Sequence, residues 1–162
     1  KEFVSKEEIG SIEERSKQKV DNFLNYLNVN KLAIPDVIVG IDDGLKKETE
    51  NSASPYSKEI AQQILGGSYI SDDEIIYDVR SYTFFIAKTA EIKTVNTEIP
   101  YRYVKNAKRP NFEETRYPLS NVLRYVEGKN VISKEDALRA REYNKKYAHA
   151  LKSIIAKIKK LY

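Results

Sequence analysis

The sequence predicts an α+β fold: an antiparallel sheet of four or five strands flanked by N- and C-terminal helices. Three observations predict it. A capping pattern opens an amphipathic stripe near the N-terminus, β-rich runs with short connections crowd residues 75–104, and the last 29 or so residues contain neither Gly nor Pro. The chain has 162 residues, which fits a domain of residues 1–132 followed by a long helix over 133–162 that packs on that domain or on a neighbouring subunit.

Ser5-Lys6-Glu7-Glu8 is a capping box, with the carboxylate three residues after the hydroxyl. It predicts a helix from about Lys6 to Leu27. Ile9, Ile12, Val20, Phe23 and Leu27 lie on one stripe, interrupted by Ser16. Ile34 to Ile41 is a short β-branched run and reads as a strand, with Asp42-Asp43-Gly44 as the turn that ends it. Residues 45–54 read as an exposed loop. Ser54-Pro55 then opens a second helix, because Ser caps and Pro at the first helical position sacrifices no hydrogen bond. Gly66-Gly67 ends it.

Ile75–Val79, Tyr82–Ala87, Glu91–Val95 and Ile99–Val104 favour β-structure by composition, and their short connections favour an antiparallel meander. Lys105–Pro118 is a polar connection, and Leu119–Glu127 reads as a short helix stopped by Gly128. Ser133-Lys134-Glu135-Asp136 caps the last helix, about 43 Å long at 1.5 Å per residue.

That helix carries a heptad track: Ala137, Ala140, Asn144, Tyr147, Leu151, Ile154, Ile158 and Leu161 are spaced alternately by three and four residues. Asn144 stands at an a position, where a polar side chain fixes register or partner number. Asn144, Tyr147, Leu151, Ile154, Ile158 and Leu161 are therefore expected at an oligomer interface. The same stripe would also serve for packing within the subunit.

Composition excludes several chemistries. With no cysteine there is no disulfide framework, thiolate metal site or cysteine nucleophile. His149 is the one histidine, so a histidine-cluster metal site is excluded too. No phosphate-binding or dinucleotide fingerprint occurs, and no cofactor or metal is expected. No apolar run approaches the 18 or so residues of a spanning helix. Methionine is absent even at position 1, which suggests a processed or trimmed chain. An exported form and a cytoplasmic one both fit.

Charge is divided unevenly. Residues 1–50 carry 8 Lys+Arg against 11 Asp+Glu and residues 51–100 carry 4 against 7, a net of −3 each. Residues 101–162 carry 16 against 6, a net of +10. So basic a third calls for an acidic partner: a protein surface, nucleic acid, or the chain's own acidic part. Tyr101, Arg102, Tyr103, Lys105, Lys108 and Arg109 interleave rings and cations. Exposed tyrosines stack bases while cations meet phosphates, so these six residues are the candidate binding set; half-buried sheet tyrosines with solvated cations account for the same pattern.

One catalytic alternative stands beside these. Asp78, Glu91 and Lys93 form D-x12-E-x-K, which resembles the PD-(D/E)xK nuclease pattern. The resemblance implies two carboxylates holding a divalent cation and a lysine assisting the attacking water. It covers three residues, and Tyr77 stands where that family has proline. A cross-strand charge pair accounts for the same residues. The leading expectation is a non-catalytic structural or assembly protein that forms oligomers through its helices and its basic C-terminal third.

Overall fold

The computed structural model describes residues 3, 7–72, 74–103, 123–127, 130–131, 151–152, 155–156 and 159–160. Its elements are α1 (Ile12–Val29), β1 (Val37–Lys47), α2 (Ser57–Gly66), β2 (Ile75–Ile86), β3 (Glu91–Tyr103), β4 (Leu123–Glu127) and β5 (Asn130–Val131). The class is α+β, with an antiparallel sheet whose body is the three long strands β1, β2 and β3 in that order. Ala87 N–H donates to Asp36 O and Glu48 N–H to Ile75 O, bracketing the β1–β2 ladder at its two ends. β4 runs antiparallel to β3 (Tyr101 opposite Tyr125), and β5 antiparallel to β4.

The chain divides into two compact units: Lys1–Asp43, Arg80–Thr97 and Asn144–Tyr162 form the first, Gly44–Val79 and Glu98–Tyr143 the second. Unit boundaries therefore fall inside all three long strands.

In the first unit, α1 starts later than Ser5 predicts. The capping box that forms is Ser11–Glu14: Ser11 Oγ accepts from Glu14 N–H, and the Glu14 carboxylate accepts from Ser11 N–H. Gly10 at φ 98° stands in the left-handed region and blocks a helix from running through it. Ile9, read as part of the stripe, is consequently 73% exposed. Val20 and Leu27 pack with Ile38 in a small core edged by Phe23, Leu24, Tyr26 and Phe85. Phe3 meets the rings of Phe23 and Tyr26 edge-on.

β1 does not turn at Asp42-Asp43-Gly44 but continues to Lys47. The reason is distant in sequence. Asp42 is buried, with its carboxylate held by Arg15 Nε (2.8 Å) and Lys19 Nζ (2.8 Å) from α1. Paired in this way, a carboxylate is tolerated inside a strand.

In the second unit, Leu45, Ile60, Ile64, Ile70, Ile76 and Tyr103 make an apolar core joined by Leu65, Tyr69 and Tyr101. α2 ends as expected, with Gly67 at φ 76° as its left-handed cap. Its start differs: Tyr56 is the N-cap, while Ser54 bridges antiparallel to Leu45. The segment 45–54 is thus tied to β1 through Leu45, not a wholly exposed loop. Four predicted strands merge into two, since β2 runs unbroken through Arg80-Ser81 and β3 through Asn96-Thr97-Glu98. Leu123–Glu127 is a strand where the sequence predicts part of a helix. Pairing with β3 supplies partners that local propensity does not see.

Candidate interaction surface

β1 ends the sheet's strand order, so one of its edges is outermost. Alternation decides which backbone groups face outward. Asp36 O and Glu48 N–H turn toward β2, so even-numbered residues face inward. Leu45, an odd position, exchanges both of its backbone hydrogen bonds with Ser54 on the outer side. Ile41 O, also odd, accepts from Lys19 Nζ at 2.7 Å. The outer edge therefore presents Val37, Val39 and Ile41, and among the described residues no strand pairs with it.

The side chains alternate in step. Ile38, Gly40 and Asp42 are buried beneath α1, whereas Val39 and Ile41 point away, 44% and 47% exposed. Gly40 is required by the close approach of α1: a Cβ there would lie 2.0 Å from Ser16 O. Next to it a chain of hydroxyls crosses from helix to sheet. Ser16 Oγ donates to Glu13 O, so it accepts from Ser81 Oγ (3.1 Å) and Thr83 Oγ1 (2.8 Å). Thr83 Oγ1 then accepts from Thr94 Oγ1 at 2.9 Å. The residue that interrupts the apolar stripe of α1 is the one that fastens it to the sheet.

Electrostatically the edge is lopsided. On the α1 side two cations, Arg15 and Lys19, share the one carboxylate of Asp42, and Lys19 also reaches the edge carbonyl of Ile41. On the other side Val39 and Ile41 are exposed, followed by the exposed Asp43.

Of the six residues expected to bind, Tyr101, Arg102 and Tyr103 are described, at the end of β3. Tyr103 is a core residue, 1% exposed, with its hydroxyl donating to Ile64 O at 3.2 Å, so its ring is not available for stacking. Tyr101 is half-buried against the same core, and Arg102 is half-buried. Lys105, Lys108 and Arg109 lie outside the described residues, as do Asn144, Tyr147, His149, Ile154, Ile158 and Leu161. Leu151 is helical and half-buried. Lys152, Ile155, Ala156, Lys159 and Lys160 are helical and exposed.

Asp78 is half-buried, four residues into β2 in the second unit. Glu91 is exposed and Lys93 half-buried at the start of β3 in the first. Among the described residues no group of three or more His, Asp or Glu is placed to hold a metal. No helix among them is long and apolar enough to cross a membrane.

Two tyrosines of the second unit have raised pKa values. Burial, then a hydrogen bond to Glu50 (3.0 Å) and its charge, pushes Tyr69 up to about 12. Burial and the charges of Glu48 and Glu98 raise Tyr77, against the opposing effect of Lys46. Both are phenols kept neutral by burial and then by acidic neighbours, the reverse of what an activated phenolate needs.

Sequence reasoning missed Lys19, Val39 and Ile41 as a set. The available signal was Gly40 inside a β-branched run, which marks close approach of another backbone. No protein-family model and no curated protein matches the chain.

Proposed function

We propose that this chain is a non-catalytic interaction protein that joins other polypeptides into an assembly. The observation that carries this reading is the pair Val39 and Ile41, branched aliphatic side chains side by side in the open on an outermost strand. Sheet edges of this kind are normally shortened, charged or covered, because an exposed one recruits another strand. The heptad track from Asn144 to Leu161 supplies a second apolar stripe. It frames the chain as a sheet of four or five strands with a long coiled-coil helix. Ile155, 41% exposed on a helical segment, is consistent with that stripe being wider than one partner needs. The lysines at 152, 159 and 160 give the C-terminal segment a basic face suited to an acidic protein surface.

Light scattering coupled to size exclusion, on the full chain near physiological salt, tests the reading. The chain should run as an oligomer, and an Ile154→Asp/Ile158→Asp variant should run smaller. A monomer at every concentration and salt would remove self-assembly.

A second reading, nucleic-acid binding, keeps Tyr101, Arg102, Lys105, Lys108 and Arg109 and loses Tyr103, which is in the core. Affinity for single-stranded nucleic acid that does not fall with salt would count against phosphate contacts.

A further inference from the structure

The geometry points to a specific occupant for the β1 edge: an extended segment of another chain, alternating acidic and aliphatic residues, added antiparallel as a new outer strand. This inference rests on the reading of the chain as an interaction protein and names the partner of the Val39–Ile41 surface.

Three features fix the partner's chemistry. Odd-numbered residues of β1 turn their N–H and C=O groups outward, so a strand laid against Val37–Ile41 has backbone groups to meet. Farther along, Leu45 already exchanges both backbone bonds with Ser54, which limits a guest to the Val37 end. The two faces of the guest are then specified separately. Residues paired directly with Val39 and Ile41 project on the same side as those aliphatics, so they are aliphatic. The alternate residues project toward α1. There Arg15 and Lys19 share a single carboxylate, leaving an excess positive charge beside the edge. An acidic side chain complements it.

Lys19 is the switch in this arrangement. Its ammonium now occupies Ile41 O, the carbonyl that an incoming N–H needs. A guest carboxylate draws Lys19 away from that oxygen and opens it to the guest backbone. A guest with lysines in the same places leaves Lys19 where it is and adds repulsion. A second copy of this chain is the less suitable guest. Antiparallel self-pairing about Gly40 places the two Lys19 ammonium groups on the same side of the ladder near the two-fold axis.

The test uses the full chain and a capped, fluorescein-labelled octapeptide alternating Glu with Val, read by anisotropy. Binding is expected, weakening as salt rises. The peptide with Lys in place of Glu should bind at least about fivefold more weakly, and Lys19→Glu should reverse that preference. Peptides N-methylated on every Val should lose binding, because those amides face β1. Methylation on every Glu should be tolerated. Equal binding of the Glu and Lys peptides, or of the two methylated series, overturns the inference. If the peptide fails to bind while the chain self-associates, and Val39→Lys abolishes that self-association, a second copy occupies the edge. The interaction reading then survives and this inference does not. Failure of both peptide binding and self-association overturns both.

Discussion

The two units fasten a helix to a sheet by opposite means. In the second, α2 inserts Ile60 and Ile64 into an aliphatic pocket closed by Ile70, Ile76 and Tyr103. In the first, the middle of α1 meets the sheet through Ser16, Ser81 and Thr83, all fully buried, with Gly40 removing the side chain that would keep the backbones apart. The aliphatic contact draws its strength from area and tolerates small shifts. The hydroxyl contact draws little from area and depends on each group finding its partner. The contrast predicts how each breaks.

The largest loss is expected at Ile64→Ala. A completely buried side chain leaves a cavity, and the change should cost about 3 kcal/mol, read as a lower urea midpoint with an unchanged slope. A cost under about 1 kcal/mol would mean that the second unit's core is not packed around α2. Gly40→Ala should follow at about 2 kcal/mol. Its Cβ meets Ser16 O at 2.0 Å and Val20 Cγ2 at 2.9 Å, neither of which can yield without moving α1. The residue counts in the opposite direction from ordinary expectation, since Gly→Ala in a strand is otherwise neutral or favourable. A stabilised Gly40→Ala protein would contradict the close approach of α1.

The third prediction concerns the hydroxyls themselves. Ser16→Ala should cost about 1–2 kcal/mol by removing the shared acceptor of the Ser81 and Thr83 hydroxyls in a buried site. Removing all three groups together, as Ser16→Ala/Ser81→Ala/Thr83→Val, should cost less than the sum of the single changes. Additive costs would show that the three groups do not act as one network.

The same contrast explains what was legible in the sequence. The α+β class, the Gly66-Gly67 end of α2 and the β-rich stretch 75–104 follow from local chemistry: a left-handed cap and β-branched composition. What was not legible depends on partners far along the chain. The S-x-x-E pattern occurs at both Ser5 and Ser11, and Gly10, in the left-handed region, stands just ahead of the box that forms at Ser11. Asp42-Asp43-Gly44 has turn composition, yet Arg15 and Lys19 neutralise Asp42 and the strand continues. Tyr103 reads from sequence either as a base-stacking surface aromatic or as a half-buried sheet residue, because strand composition does not report which face a ring takes; it is in the core. The candidate site was hidden for a related reason. Val39 and Ile41 look like core residues until the strand order puts β1 at the edge. By the register of Ala87 with Asp36 they flank Phe84 and Tyr82, which are buried on the neighbouring strand.

The smallest effect separates the units by pH. Tyr69 belongs only to the second unit, and its pKa is raised from 10.0 to about 12. A raised pKa means that the folded state favours the neutral phenol. Its contribution to stability is therefore complete below about pH 10 and declines as pH climbs toward 12. The mechanism is concrete: ionised Tyr69 would lose its donor to Glu50 and place two anions 3.0 Å apart. Lys47 Nζ stands 4.5 Å from the ring centroid. The informative quantity is a difference between two variants that share everything but the phenol. Between pH 10 and 12 the wild-type chain should lose stability more steeply than Tyr69→Phe, which keeps the ring over Lys47 but has no proton to lose. Parallel curves would show that the Tyr69–Glu50 bond is not maintained in solution. Ser16→Ala, confined to the first unit, should leave that alkaline difference unchanged.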